Sequence, residues 1–484
     1  MATTGISRRD VGLRSERGPI LLAMMLSVGL VAIDATILAT AVPAVVEDLG
    51  GFSQFPWLFS VYLLAQAVSV PIYGKLADVL GRKPVMMLGI GLFLTGSLLC
   101  GLAWGMAPLI VFRAVQGLGA GAVQPMSMTI VGDIYSMAER AKVQGYIASV
   151  WATASLVGPT LGGVFSDYLS WRWIFFVNLP LGLIAAWLIQ RDFHEKVERQ
   201  RHSLDVRGAV LLSVGGLLLL LGLLEGGQRW AWDSAASIGI FAAAVALLVG
   251  FVVVETRAEE PVLPLWVFRR RVLHSANAGS LLVGLVMLGL SSYVPIFAQG
   301  VLGTGAVVAG LALAAMTIGW PLAASNAGRL FLTVGFRATT VAGAVFAVSG
   351  GLLLLTVDGS SPVWWLAVPN FVMGIGFGLV VSPGVIASQS SVGWRERGVV
   401  TAANMFGRNV GSALGVAIFG AIANGVVRSR TGGTPTDLEH LPADVLEPAV
   451  HAVFVAATAI AVLLLVATAF MPKRVSPPAT EVTH

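Results

Sequence analysis

Residues 74–84 read Gly74-Lys75-Leu76-Ala77-Asp78-Val79-Leu80-Gly81-Arg82-Lys83-Pro84, a charged segment with two glycines set between apolar runs at about 55–77 and 85–104. Each flanking run has the ~20 residues a helix needs to cross the hydrocarbon core of a bilayer. A short connection with glycines at both ends reads as a tight turn between two spanning helices, because glycine accepts backbone angles closed to other residues. Working outward, apolar runs lie at about 19–46, 107–132, 142–165, 171–190, 207–224, 236–256, 272–297, 305–330, 337–356, 362–388, 398–424 and 448–471, which makes 14 in all. None shows the alternating ~10-residue pattern of a membrane barrel. The sequence therefore predicts an all-α membrane protein with 14 transmembrane helices. No cleavable signal is expected before the first run, which is long and carries a charge.

Composition agrees. Of 484 residues only 11% are charged and 56% are hydrophobic, with a mean hydropathy of +0.84. A soluble domain carries about 25% charged residues. A soluble globule, a disordered chain and a disulfide scaffold are excluded, the last because Cys100 is the one cysteine. The net charge of +5 does not imply a nucleic-acid partner. With the N-terminus inside, 24 of the 30 Lys and Arg fall in inside segments and 4 (Arg172, Arg229, Arg428, Arg430) fall outside; Arg113 and Arg408 lie within spans. That is the bias topology requires. The expected location is the cell (inner or plasma) membrane, with many passes and both termini cytoplasmic. The bilayer is the expected partner, and the chain is expected to be a monomer.

The opening segment recurs at an offset near 255 as Gly328-Arg-Leu330-Phe-Leu332-Thr-Val-Gly335-Phe-Arg337. Val115-Gln-Gly117-Leu-Gly119-Ala-Gly121 aligns with Val372-Met-Gly374-Ile-Gly376-Phe-Gly378, and Glu139-Arg140 with Glu396-Arg397. Gly158-x-x-x-Gly162 aligns with Gly411-x-x-x-Gly415. The expected organisation is an N-terminal six-helix bundle (1–190), a cytoplasmic linker (191–206), two inserted transmembrane helices (207–256) and a C-terminal six-helix bundle (257–484). Repeated halves around a midplane site are the plan of secondary transporters.

Charged residues inside spans are functional candidates, because burying an unpaired charge in hydrocarbon costs several kcal/mol. Asp34 is the one acid deep in a span, roughly 18 Å from the nearer end at 1.5 Å per residue. Ser27 and Ala41 share its face. It is either neutral or faces water or a cation, which makes it a proton- or substrate-binding candidate; the alternative is a structural carboxylate bonded to a neighbouring helix. Arg113 begins a stripe through Gln116, Ala120, Gln124 and Ser127 that reads as a cavity wall or, alternatively, as an arginine snorkelling outward. It sits nominally about 10 Å shallower than Asp34, so an ion pair between them is allowed but not implied. Arg408 continues a stripe Thr401, Asn404, Arg408, Gly411, Gly415, suited to substrate contact or to packing.

These residues resemble the major facilitator superfamily and, within it, the 14-span drug:proton antiporters. Residues 74–84 resemble the superfamily's loop between spans 2 and 3, and Arg113-Ala-Val-Gln116-Gly117 its span-4 motif. Gly158-Pro159-Thr-Leu-Gly162-Gly163 resembles the span-5 motif of exporters. Ile33-Asp34-Ala-Thr36-Ile37 and Trp171-Arg172-Trp173-Ile-Phe-Phe-Val-Asn178-Leu-Pro180 resemble motifs of the 14-span group. The resemblance covers nearly the whole chain but fails at Leu332, where an acid is expected. It implies a conformational latch of Gly74, Asp78, Gly81, Arg82 and Asp133 that holds the outward-facing state. Asp78 can meet a helix N-terminus and Arg82 can reach Asp133. Pro159 with Gly158, Gly162 and Gly163 suits a bendable helix contact.

The expected function is proton-coupled efflux of small amphipathic compounds or drugs by alternating access, with apolar or cationic compounds favoured. A dedicated exporter of one lipid, peptide or antibiotic metabolite is the alternative. An enzyme is not expected, since no His/Asp/Ser cluster, metal spacing or nucleotide loop occurs. No cofactor is expected beyond the proton gradient.

Overall fold

The computed structural model describes residues 11–50, 56–195, 205–226, 230–258, 261, 263–431 and 442–475. The elements in chain order are α1 (Gly18–Leu49), α2 (Pro56–Leu80), α3 (Arg82–Gly101), α4 (Met106–Ile134), α5 (Met137–Tyr168), α6 (Trp173–Phe176), α7 (Asn178–Asp192), α8 (Val206–Glu225), α9 (Ala235–Glu255), α10 (Arg271–Gly300), α11 (Ala306–Val334), α12 (Phe336–Leu354), α13 (Val363–Ser390), α14 (Arg397–Thr431) and α15 (Ala443–Ala469). Single-turn 3₁₀ helices at Leu265–Phe268 and Trp394–Glu396 precede α10 and α14. Among the described residues no strand occurs, and 13 helices are long and apolar enough to cross a membrane. The expected span at 207–224 is a shorter apolar stretch, Arg207–Leu223, within α8. The sixth span is broken into α6 and α7. In the expected linker, residues 196–204 lie outside the described residues.

Local chemistry sets the boundaries. Ser136 and Glu139 form a reciprocal capping box that starts α5. Gly81 (φ +98°) turns the chain from α2 into α3, and Gly335 (φ +89°) turns it from α11 into α12. Both values lie in the left-handed region where a side chain is strained. The two positions are the aligned glycines of the repeated segment.

The chain forms two compact units. The first comprises Met1–Leu217, Ala246–Leu265 and Val392–Phe406. Here α4 packs between α2 and α3, and α1 packs on α5. A Cβ at Gly117 would strike the Tyr62 carbonyl of α2, and one at Gly119 the Phe93 amide of α3. The second unit comprises Leu218–Val245, Trp266–Ser391 and Gly407–His484. There α13 packs between α11 and α12, with Gly374 on the Met316 carbonyl of α11 and Gly376 on the Gly343 carbonyl of α12. The same alternation of partners recurs in both, as close helix packing through small residues requires.

Candidate functional site

Asp34 is not solitary. Arg113 Nη1 lies 2.6 Å from its Oδ2, Gln116 Nε2 donates to its Oδ1 at 2.7 Å, and Asn178 Nδ2 stands at 3.4 Å from the same oxygen. Asp34 and Arg113 are each 1% exposed. The guanidinium also donates to the Leu58 carbonyl at 3.1 Å and to Gln116 Oε1 at 2.7 Å, and it stacks 4.1 Å from the centre of the Tyr62 ring. Ser97 Oγ accepts from both Gln116 (2.7 Å) and Asn178 (3.1 Å). Five helices (α1, α2, α3, α4 and α7) therefore contribute to one buried polar network. The nominal 10 Å offset between Asp34 and Arg113 is spanned by the length of the arginine side chain and the crossing of α1 and α4.

In this conformation the polar faces of α1 and α4 are packed rather than open. Ser27 is fully buried and returns its hydroxyl to the Ala23 carbonyl, and Ser127 does the same to Val123. Gln116 and Ala120 are sealed as well. Gln124 accepts from Gln66 Nε2 at 3.2 Å, which joins α4 to α2. In this conformation the stripe is a packed seam.

The second cluster lies where α2 turns into α3. The Asp78 carboxylate accepts from the amides of Gly398 (2.9 Å) and Val399 (2.8 Å), the first turn of α14. Those amides are among the four unpaired N–H groups that every helix start presents. Arg82, completely buried, lies 3.1 Å from Asp78 and 2.9 Å from Asp133, donates to the Trp394 carbonyl and stacks on the Trp394 ring. Arg397 Nη1 reaches Asp133 Oδ1 at 2.8 Å and the Gly132 carbonyl at 3.0 Å. Arg140, the repeat partner of Arg397, donates to that carbonyl too. Burial, with the Arg397 charge beside it, pushes the Arg140 guanidinium down to about 10 against the pull of Asp133. Gly74 allows the approach: a Cβ there would meet Ala402 Cβ and the Gly398 carbonyl. Residues 74–84 thus hold the start of α14 through charge and main-chain contacts.

The second repeat is closed differently. Leu332 stands in place of the acid and is exposed. Phe336, in place of Arg82, stacks on Phe331 with centroids 4.6 Å apart, and its amide donates to the Lys473 carbonyl.

Gly158 of α5 sits against α1, where a Cβ would fall 2.0 Å from Thr36 Oγ1. Gly411 and Gly415 of α14 meet the Leu281 and Leu285 carbonyls of α10 in the same way. A Cβ at Gly163 would meet nothing among the described residues, so this glycine carries no close approach here. Gly162 is buried; the side chain of Pro159 lies outside the described residues. Asn404 is buried on α14, and Arg408, one turn on, is half-buried with its main chain against Gly284 of α10.

Sequence reasoning missed Ser97, Tyr62, Gln66, Trp394 and Glu195. Glu195 accepts from the amides of Arg82 (3.0 Å) and Lys83 (3.1 Å) and caps α3. None carries a sequence signal, since each is a common residue placed by packing. The Trp171-Arg172 motif does explain itself. Both side chains donate to Asp48 at the end of α1, at 3.0 and 2.7 Å, and hold its carboxyl below the usual range.

The sequence matches a known family model. This model, the Major Facilitator Superfamily, covers residues 24–416. The chain belongs to that superfamily. It is similar to the multidrug transporter protein MdtP of Bacillus subtilis (strain 168), with 36% identity over 439 residues, 89% of this chain and 80% of the relative. Multidrug resistance protein 3 of the same strain is 35% identical over 411 residues, 85% and 80% of the two chains. Efflux pump dotC of Dothistroma septosporum (strain NZE10 / CBS 128990) is 33% identical over 408 residues, 82% and 70%. The crystal structure of the human organic anion transporter MFSD10 (TETRAN) shares the fold, with TM-score 0.67 at 15% identity over 94% of this chain and 99% of that one. The protein is accordingly a multi-pass membrane transporter of the major facilitator fold.

Proposed function

We propose that this transporter exports small amphipathic compounds from the cytoplasm in exchange for protons, with Asp34 as the proton site. The observation that supports the reading is the buried Asp34–Arg113 pair. Neutralising Asp34 with a proton removes the counter-charge of Arg113. A buried charge left without its partner costs about 3–5 kcal/mol. Protonation and this closed arrangement therefore oppose each other, and a proton on Asp34 favours a conformer in which Arg113 is rehydrated. That opposition is a coupling between proton binding and shape. Both side chains are sealed here, so the proton enters in a different conformer.

Each proton moving inward down about 100 mV supplies ~2.3 kcal/mol, besides the pH term. That suffices for about tenfold accumulation, which needs ~1.4 kcal/mol. The Asp78–α14 contact is the cytoplasmic latch in this scheme. The sequence similarity to multidrug transporters and an efflux pump supports export as the direction.

The test is reconstitution in vesicles with an imposed pH gradient and a panel of labelled compounds, with Asp34→Asn alongside. Gradient-driven accumulation that D34N loses is the expected result. Transport indifferent to the gradient removes antiport, and a D34N protein that still couples moves the proton site elsewhere.

A further inference from the structure

Arg408 carries a permanent positive charge, because a guanidinium does not lose its proton in proteins. It lies eleven residues into α14, roughly 16 Å from the nearer helix end at 1.5 Å per residue. Among the described residues its side chain makes no hydrogen bond or ion pair. The sequence of its own half explains why. Helices α10 to α15 contain no Asp or Glu except Asp444 and Glu447 in the opening turns of α15, and Glu447 accepts from the Gly359 amide. The deep acid of the other half, Asp34, is already held by Arg113 and Gln116. The repeat does not supply the charge either: with Gly158 aligned to Gly411, Arg408 falls on Ser155, which bonds the Trp151 carbonyl of its own helix. Arg408 is thus an addition to the second half, without a counter-charge among the described residues of that half.

Arg408 is half-buried rather than sealed. Gly284 of α10 lies directly against it, so α10 and α14 meet closely at this point: a Cβ there would fall 2.2 Å from the Arg408 carbonyl oxygen and 3.1 Å from its Cγ. An uncompensated charge at this depth costs several kcal/mol unless water or an anion serves it. A planar guanidinium matches a carboxylate, sulfonate or phosphate through two parallel hydrogen bonds.

We propose that Arg408 is the anion-binding subsite of the transport pathway, so that the compounds carried are amphipathic monoanions rather than cations. The proposal rests on the transport reading above but not on proton coupling. It replaces the expectation that apolar or cationic compounds are favoured.

Equilibrium binding without any gradient tests it separately from antiport. The full-length protein in phosphatidylcholine nanodiscs is titrated with naphthylbutanoate, its methyl ester and naphthylbutylammonium, and Kd is read from ligand fluorescence. The expected order is carboxylate tighter than ester by about tenfold, with the ammonium weakest, a ratio equivalent to ~1.4 kcal/mol. R408Q brings the carboxylate-to-ester ratio to about one, whereas R408K, which keeps the charge without the fork, retains part of it. If R408Q does not assemble, the wild-type order together with a reduced ratio in R408K carries the proposal. An ester or ammonium that binds as tightly as the carboxylate overturns it, as does an unchanged ratio in R408Q. Nanodiscs with phosphatidylglycerol separate the two sources of anion: a loss of carboxylate affinity in wild type but not in R408Q assigns the subsite to a lipid phosphate and overturns the substrate claim.

Discussion

Arg113 and Asp34 meet at 2.6 Å with both side chains out of contact with solvent, although they lie on helices separated in sequence by two complete spans. The pair is surrounded by further donors and acceptors rather than by apolar side chains alone. Breaking it is therefore costly while removing it whole is less so. Arg113→Gln should destabilise the protein by about 3–5 kcal/mol, and the double variant D34N/R113Q by clearly less than the sum of the singles. Cys100, buried and the one thiol in the chain, is a built-in reporter: the rate at which a thiol-reactive dye labels it on heating ranks the variants. Additive losses would show that the two side chains do not act as a pair.

Asp78 accepts two amides at the start of α14 and balances Arg82. Asp78→Asn keeps one acceptor and loses the charge. The protein should still insert and purify at normal yield while transport falls about tenfold or more, in line with a charge-assisted contact worth ~1.5–3 kcal/mol. Undiminished transport by D78N removes the latch role.

Gly158 and Gly163 lie in one motif but in different packing. Gly158→Ala places a methyl 2.0 Å from Thr36 Oγ1 and must push α5 off α1, whereas Gly163→Ala enters open space. The first should cost about 1–3 kcal/mol, the usual range for overpacking, and the second a few tenths or less. Thermal unfolding of the two purified variants decides; equal effects would mean that the glycines serve the helix backbone rather than its packing.

The Asp48 carboxyl is held below the usual range by hydrogen bonds from Arg172 and Trp171. A group with a depressed folded value contributes stability above its unfolded pKa and loses it as pH falls through the folded value. The Tm gap between wild type and D48N should therefore be present at neutral pH and close only under acid conditions, below the ordinary aspartate range near 3.8. The pair is partly exposed, so the gap should correspond to less than about 1 kcal/mol. A gap that persists in acid assigns the effect to packing instead.

Much of the fold is legible in the chain because lipid imposes a simple rule on it. The long apolar runs, the glycine turns at Gly81 and Gly335 and the paired Gly117/Gly374 and Gly119/Gly376 patterns correspond to observed helices and contacts. The break at Val177 and the short apolar stretch Arg207–Leu223 are less legible, since hydropathy reads continuous runs there. At the site, the charge of Asp34 marks it as a candidate, and Asp78, Arg82 and Asp133 meet as their types suggest. Ser97, Tyr62 and Trp394 do not announce themselves, because a hydroxyl or a ring takes its role from what faces it.

Sequence alone determined that this is a many-helix membrane protein built on a repeat, with few charges at depth, since hydropathy and spacing are properties of residues along one line. Tertiary structure alone decided that the acid of the first helix has a cation beside it, that Asp78 ends on the opening amides of α14, and that Arg408 is left without such a partner among the described residues of its half. Partnering depends on how helices cross and how far side chains reach, and neither quantity is written in the order of the residues.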